Sequence, residues 1–313
     1  MTIKTVACIG VGNVGRAWAI AFARGGCRTR LYDAQPGSVE RSLEQMEANL
    51  VDLQSAGLIE DRQELKDHLI VCDSLEAAVD GADYVQESIK EDLTLKKEIF
   101  ATLDHTASVD TILASSTSEF MSSQFAMVAN APERCLVAHP FNPPYLIPLV
   151  ELSGHSMTSA DTIDRARAFL EEIGMSPVVV QKEIKAFLLN RLQAAVVSEA
   201  LFLVGEGYCT ATDLDRAMTD GLGLRWAFMG PFMTGHLNAS GGYSEYMRNY
   251  GDTFRRMIDD LNPDYKWSLD LVDSIHAEMT DTVATDRVAD GQAWRDRRLM
   301  AALNVRRAAE QFD

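Results

Sequence analysis

The chain has 313 residues, with 46 acidic against 29 basic side chains and a formal net charge of −17. That balance excludes nucleic acid and anionic membrane surfaces as natural partners, while a small anionic substrate could still be held by a local basic site. With 47% hydrophobic and 24% charged residues, the composition is that of a globular protein long enough for two domains.

The opening "MTIKTVACIG" passes at once into a strand-like run, without the cationic region, apolar stretch and cleavage site of a secretory signal. Short apolar strands are expected at 5–10, 28–33, 69–72, 83–89, 111–115 and 134–140. Between them lie helical patterns such as 13–26 and 93–104, and this alternation predicts an α/β fold with a doubly wound, Rossmann-type sheet. From 185 to 207 the chain reads as one long apolar helix, ended by Gly205 and Gly207 and buried on several sides. The remainder of the chain is almost all helical in pattern, so the expected domains are 1–184 and an all-helical 185–313. No apolar run is long enough for a membrane span. Cys8, Cys27, Cys72, Cys135 and Cys209 are odd in number, widely spaced and without a CxxC pair. They suit neither a disulfide framework nor a metal site, so reduced thiols in a cytoplasmic protein are expected.

"GVGNVG", with Gly10, Gly12 and Gly15 in GxGxxG spacing around Val11, Asn13 and Val14, comes after the first strand and opens the first helix. In that context the glycines permit a tight turn, a close approach of backbone to a pyrophosphate, and helix-on-strand packing. Asp33 ends the second expected strand and is succeeded by Ala34 and Gln35 rather than by an arginine. A carboxylate there accepts ribose hydroxyls and repels a 2′-phosphate, which favours NAD over NADP. Further on, "HPFNPPYLIPLVE" (139–151) sets four of the nine prolines between His139 and Glu151. Such a stretch is restricted in backbone freedom, and its second half can return as an extended segment.

These features, with "ESIKEDLTLKKEIF", "ASSTS", "PLVE" and "FLLNRL" in the same order, resemble the 3-hydroxyacyl-CoA dehydrogenase superfamily over nearly the whole chain. "GLGLRWAFMGP" and "HLNASG" look most like the branch that contains lambda-crystallin and L-gulonate 3-dehydrogenase, with the L-carnitine dehydrogenases as a sister branch. The resemblance implies that His139 is the catalytic base and Glu151 its partner. It implies that Ser118 and Asn190 contact substrate and cofactor, that Glu91 and Lys96 lie near the nicotinamide end, and that Asn142 belongs to the cofactor site. It also implies a homodimer formed through the helical domain. A structural, crystallin-like role is the non-enzymatic alternative.

The chemistry agrees with that assignment. Oxidising a secondary alcohol releases a hydride and a proton, and histidine, with an ordinary pKa near 6.5, is suited to take the proton. A carboxylate on its other nitrogen would orient the ring and offset the imidazolium charge. Ser118 also suits an N-cap for a helix through "EFMSSQF". Asn190 stands in an apolar helical pattern, where a buried amide needs a partner.

The substrate is less legible. No lysine occurs from residue 5 to residue 65, and 37–61 carries Arg41 alone among several carboxylates, which argues against a CoA tail. Arg225 could hold a free carboxylate in bidentate fashion. A small L-3-hydroxy acid is therefore expected, L-gulonate first. His236 and Asn238 are candidates for its hydroxyls. L-carnitine is the alternative, with Trp226, Phe228, Phe232 and Tyr243 as aromatic faces for its cation, and an acyl-CoA ester stands behind both.

Overall fold

The computed structural model describes residues 3–308. Two compact units emerge: one runs up to Leu189 and also takes in Asp296–Ala308, and the other is Asn190–Arg295.

The first unit is built on one eight-stranded sheet. Its strands are β1 (Thr5–Ile9), β2 (Arg28–Tyr32), β3 (Leu69–Val71), β4 (Tyr84–Glu87), β5 (Ile112–Ser115), β6 (Cys135–Pro140), β7 (Leu149–Ser153) and β8 (Ser176–Val179), in the order β3-β2-β1-β4-β5-β6-β7-β8. The six strands expected from sequence are β1–β6, and they pair in parallel throughout. The segment after the prolines returns as β7, antiparallel to β6, while β8 pairs in parallel with β7. β8 escapes a sequence reading because it is four residues long and contains Pro177. Proline is tolerated there because the strand lies at the sheet edge.

Side-chain alternation splits the core between the two faces of the sheet. Val6, Cys8, Tyr84, Ile112 and Ala114 join one cluster with Trp18 and Phe22 of the helix Asn13–Arg24 and Phe169 of the helix Ala160–Glu172. Ala7, Ile9, Val85 and Leu113 join the other, with Phe100, Phe125 and Phe187. On the first face the rings interlock, with Trp18–Phe22 at 4.9 Å and Tyr84–Phe169 at 5.2 Å between centroids.

Two features differ from the sequence reading. The long apolar helix runs Leu189–Gly205, and none of its residues is buried; Leu192 is 65% exposed. Its apolar character all round predicts burial on several sides, but the cover is partial: Phe202 packs edge-on against Tyr265 with centroids 5.5 Å apart, while Val196 and Val197 stand exposed with Leu192. It also begins four residues later than expected, because Ala186 and Phe187 adopt φ of 65° and 53°, a left-handed conformation that a helix cannot contain. The second difference is that the C-terminal segment does not stay with the helical unit. In Asp296–Ala308, Met300 is 1% exposed within the core cluster of the first unit, Leu299 and Leu303 pack beside it, and Asn304 Nδ2 donates to Ala56 O at 2.8 Å. Leu299, Met300 and Leu303 form one helical stripe, and its partner is the sheet unit.

The second unit is helical, with Ala211–Arg216, Pro231–Leu237, Gly242–Asp260 and Leu269–Thr282 among its elements. Glu278 joins two of them by accepting from the Ala211 and Thr212 N–H groups at 3.2 and 2.7 Å. Among the described residues no helix is long and apolar enough to cross a membrane.

The burial of Met300 gives a direct test of the C-terminal return. Met300→Ala should destabilise the chain by about 2–5 kcal/mol, read as a lower denaturant midpoint at unchanged m-value.

Candidate active site

In a parallel sheet the strands end on one edge, and loops beyond their carboxyl ends form the binding crevice. Here the loops after β1, β2, β4, β5 and β6 carry the glycine loop, Asp33, Ser88–Glu91, Ser116–Ser118 and the proline stretch.

The glycine loop borders a groove of about 660 Å³ lined by Gly10, Gly12, Asn13, Asp33, Arg41 and Lys90, among others including Val11. Gly10 has φ +86°, and a Cβ on it would stand 2.7 Å from Ser88 O. A Cβ on Gly15 would fall 1.9 Å from Gly10 O, so Gly15 and Val14 serve the packing of the helix rather than the wall of the groove. A Cβ on Gly12 meets nothing within 4 Å. Gly12 is also the N-cap of the helix Asn13–Arg24, and no side chain caps it. The first-turn N–H groups are thus turned toward the groove with backbone alone in front of them, a cradle that fits a pyrophosphate. Asp33 holds this loop in place: Oδ2 accepts from Val11 N at 3.0 Å and Oδ1 from Gln35 N at 2.9 Å. Ser42 Oγ donates to Val11 O at 2.6 Å.

The proline stretch brings its two ends together. His139 and Glu151 are direct cross-strand partners in the β6–β7 ladder, so their side chains share a face. His139 Nδ1 lies 2.9 Å from Glu151 Oε2, and both side chains are buried. Glu151 Oε1 accepts from Leu188 N at 2.7 Å and Leu189 N at 3.0 Å. Burial alone pushes the Glu151 carboxyl up; the hydrogen bonds from His139 and the two N–H groups outweigh it and hold it below its ordinary value. Phe187 lies along the imidazole, centroids 4.9 Å apart and planes 25° from parallel. Asn142 is exposed and precedes Pro143 through a cis peptide bond.

A second cluster fixes the loop after β5. Lys96 is 1% exposed, and its ammonium lies 3.0 Å from Glu87 Oε1 and 3.1 Å from Glu91 Oε2. Glu91 Oε1 accepts from the Thr117 hydroxyl and from Ser118 N and Glu119 N at 3.0 and 3.1 Å. Burial raises the Glu91 carboxyl, and the Thr117 and Lys96 interactions more than reverse that. Lys96 is therefore spent on two carboxylates and does not line the groove. Ser118 is exposed and is not a helix cap: the short helix is Ser122–Phe125, capped at Met121.

Asn190 and Arg225 belong to the helical unit. Asn190 is not a buried helix-interior amide; it is half-exposed in the first turn of Leu189–Gly205, where the late start of that helix places it. Arg225 is exposed in Leu224–Trp226. His236 uses Nδ1 to accept from Tyr243 N at 3.2 Å, and Asn238 borders an aromatic hollow with Tyr246, Tyr250 and Phe254. Sequence reasoning missed Arg41 and Lys90 in the groove, Glu87 beneath Lys96, and Phe187 against His139. Glu87 and Lys90 lie inside "ESIKEDLTLKKEIF" and Phe187 opens "FLLNRL", so each was present in a motif without a role attached to it.

A Rossmann-type sheet with a bare helix N-terminus in its groove and a buried histidine–carboxylate pair on the same edge defines a dinucleotide-dependent dehydrogenase. Comparison with known proteins specifies it. Residues 5–184 match the model of the 3-hydroxyacyl-CoA dehydrogenase NAD binding domain, and residues 187–266 match that family's C-terminal domain. The lambda-crystallin homolog of Homo sapiens is 40% identical over 301 residues, 94% of each chain. The L-carnitine dehydrogenase of Oceanobacillus iheyensis is 40% identical over 254 residues, 81% of this chain and 82% of that one. Among solved structures, an NAD+ dependent 5-formyl-3-hydroxy-2-methylpyridine 4-carboxylic acid 5-dehydrogenase superposes with a TM-score of 0.84 at 26% identity, covering 98% of this chain and 99% of the other. The chain belongs to the 3-hydroxyacyl-CoA dehydrogenase family. It is an NAD-dependent oxidoreductase acting on a secondary alcohol.

Lys96→Met should cost about 3–5 kcal/mol, because it leaves Glu87 and Glu91 facing one another with no cation between them. Chemical denaturation measures the loss, and weaker protection of the Ser118 and Glu119 amides from hydrogen exchange should accompany it.

Proposed function

We propose that the chain oxidises the 3-hydroxyl of a small, free L-3-hydroxy acid, with L-gulonate to 3-dehydro-L-gulonate as the leading reaction and His139 as general base. The observation that carries this reading is the His139–Glu151 pair, buried and bonded at 2.9 Å through Nδ1. With Nδ1 turned to the carboxylate, Nε2 is the nitrogen that takes the substrate hydroxyl proton. Glu151 keeps the ring in that orientation and offsets the charge it gains.

NAD, when bound, supplies the hydride acceptor. Gly10, Val11, Gly12 and Asn13 would hold its pyrophosphate at the helix N-terminus, and Asp33 its ribose. Ser118 and Asn190 contact the substrate in this reading, Asn142 borders the cofactor, and Glu91 with Lys96 acts by fixing the Ser118 loop.

Three points favour a free acid over a CoA ester. The first 65 residues carry only Lys4 as lysine. Arg225 offers a guanidinium fork for a carboxylate. The L-carnitine dehydrogenase relative and the pyridine carboxylic acid dehydrogenase both act, by name, on carboxylic acids. The sugar acid comes first on the resemblance of "GLGLRWAFMGP" and "HLNASG" to the L-gulonate branch. L-carnitine is the second reading, favoured by the 40% identity to a carnitine enzyme and by the exposed Trp226, Phe228 and Phe232.

The open faces of Leu189–Gly205 further support a homodimer through the helical unit. A 17-residue helix with no buried residue needs a partner for its apolar surface. A cytoplasmic location fits the five free cysteines.

The test is NAD reduction with L-gulonate, L-carnitine and 3-hydroxybutyryl-CoA side by side. L-Gulonate is expected to give the highest kcat/KM, and a higher value for the CoA ester rejects the free-acid reading. His139→Ala should lower kcat by at least about 10² with NAD affinity nearly unchanged. Arg225→Met should raise KM for the free acid roughly 10- to 150-fold, the loss expected for a charge-assisted bond of about 1.5–3 kcal/mol, with a smaller change in kcat.

A further inference from the structure

We propose that Phe187 is the positioning residue of the His139–Glu151 pair, acting with the Leu188 and Leu189 peptide N–H groups that come after it. This rests on the reading of His139 as general base and adds the element that keeps the base in line.

Three contacts converge on the pair from one short segment. The Phe187 ring covers one face of the imidazole at 4.9 Å. The next two N–H groups close on Glu151 Oε1 at 2.7 and 3.0 Å, which leaves Oε2 for Nδ1. A carboxylate held at one oxygen by two donors cannot rotate without breaking both bonds. A ring held against an imidazole that is already bonded at Nδ1 limits its remaining tilt about that bond.

The backbone shows what this arrangement demands. To turn the Phe187 ring toward the sheet and still aim two successive N–H groups at one oxygen, the chain passes through left-handed φ at Ala186 and Phe187, 65° and 53°. Residues with a Cβ rarely adopt that region, and they do so where the surroundings over-determine them. The surroundings here are the core: Phe187 is 1% exposed and belongs to the apolar cluster with Phe125 and Val137. The ring is thus a wall braced from behind. Displacing a general base by about 1 Å can cost 10²-fold in rate, so a residue that never meets the substrate can still set turnover.

The experiment uses the full chain as wild type, Phe187→Leu and Phe187→Tyr, with His139→Ala as reference. Leucine keeps an apolar side chain and removes the ring; tyrosine keeps the ring. Three quantities are measured: NAD affinity, kcat and KM for the best 3-hydroxy acid, and the low-field proton resonance of the Nδ1–H shared with Glu151, assigned by its absence in His139→Ala. Phe187→Leu should lower kcat by at least about tenfold while NAD affinity and KM stay within about twofold. It should also broaden or abolish the resonance, and Phe187→Tyr should restore both. A kcat within about twofold of wild type in Phe187→Leu, or a loss of NAD affinity in step with kcat, overturns the proposal and makes Phe187 ordinary core. If the wild type oxidises none of the acids, the free-acid reading fails by itself, and the resonance then decides: persistence in Phe187→Leu overturns the positioning role, and loss upholds it.

Discussion

A carboxylate buried to 1% exposure must have its oxygens satisfied, because an unpaired buried charge costs far more than any contact around it returns. Glu151 meets that constraint with three donors drawn from two places in the chain: the His139 ring across the β6–β7 ladder and two N–H groups near residue 188. Much of the local architecture is dictated by this need. β7 must run antiparallel to β6 for residue 151 to stand opposite residue 139, and the proline stretch between them is the short reversal that permits it. The approach to the helical unit must bend through left-handed backbone to deliver the N–H groups. The buried pair and the irregular connector are therefore one feature seen from two sides.

The same device recurs along the carboxyl edge of the sheet. Asp33 gathers Val11 N and Gln35 N, Glu87 takes Ile89 N, and Glu91 takes Ser118 N and Glu119 N. Each is an acidic side chain at or just past a strand end, and each fixes a loop by accepting from its peptides. Charge-assisted bonds of this kind are stronger than neutral ones, and they hold loops that have little apolar surface of their own. Lys96, placed beneath two of these carboxylates, limits the repulsion that clustering would otherwise bring. The acidic balance of the chain thus has a structural use at this edge, separate from any effect on solubility or partners.

Where the sequence carried a periodic signal, the fold was legible in it: the six parallel strands, the glycine turn and the extended return toward Glu151 all rest on local patterns. The losses came where a residue's fate depends on what lies opposite. An apolar helix reads the same whether it is covered on every side or on one, so burial on several sides is the expectation for Leu189–Gly205, and only the side near Phe202 meets Tyr208 and Tyr265. Lys96 could be matched to a motif near the cofactor, yet only the fold shows its ammonium held between Glu87 and Glu91. Asn190 shifted from helix interior to helix start because two non-glycine residues, Ala186 and Phe187, take a conformation that no propensity suggests. Phe187 itself is an ordinary apolar residue in the sequence and acquires meaning only beside His139.

The return of Asp296–Ala308 to the first unit sets an order on folding. A vectorially synthesised chain usually folds its N-terminal domain first, but here the core that holds Trp18, Phe22 and Leu50 also contains Met300. The sheet unit can form a partial core from its first 189 residues, with the place of the last helix open on its surface, and the whole helical unit must leave the ribosome before that place is filled. During that interval the part of the core that Met300 completes is left unfinished, and a chain halted near residue 290 carries the adhesive surface of an incomplete domain.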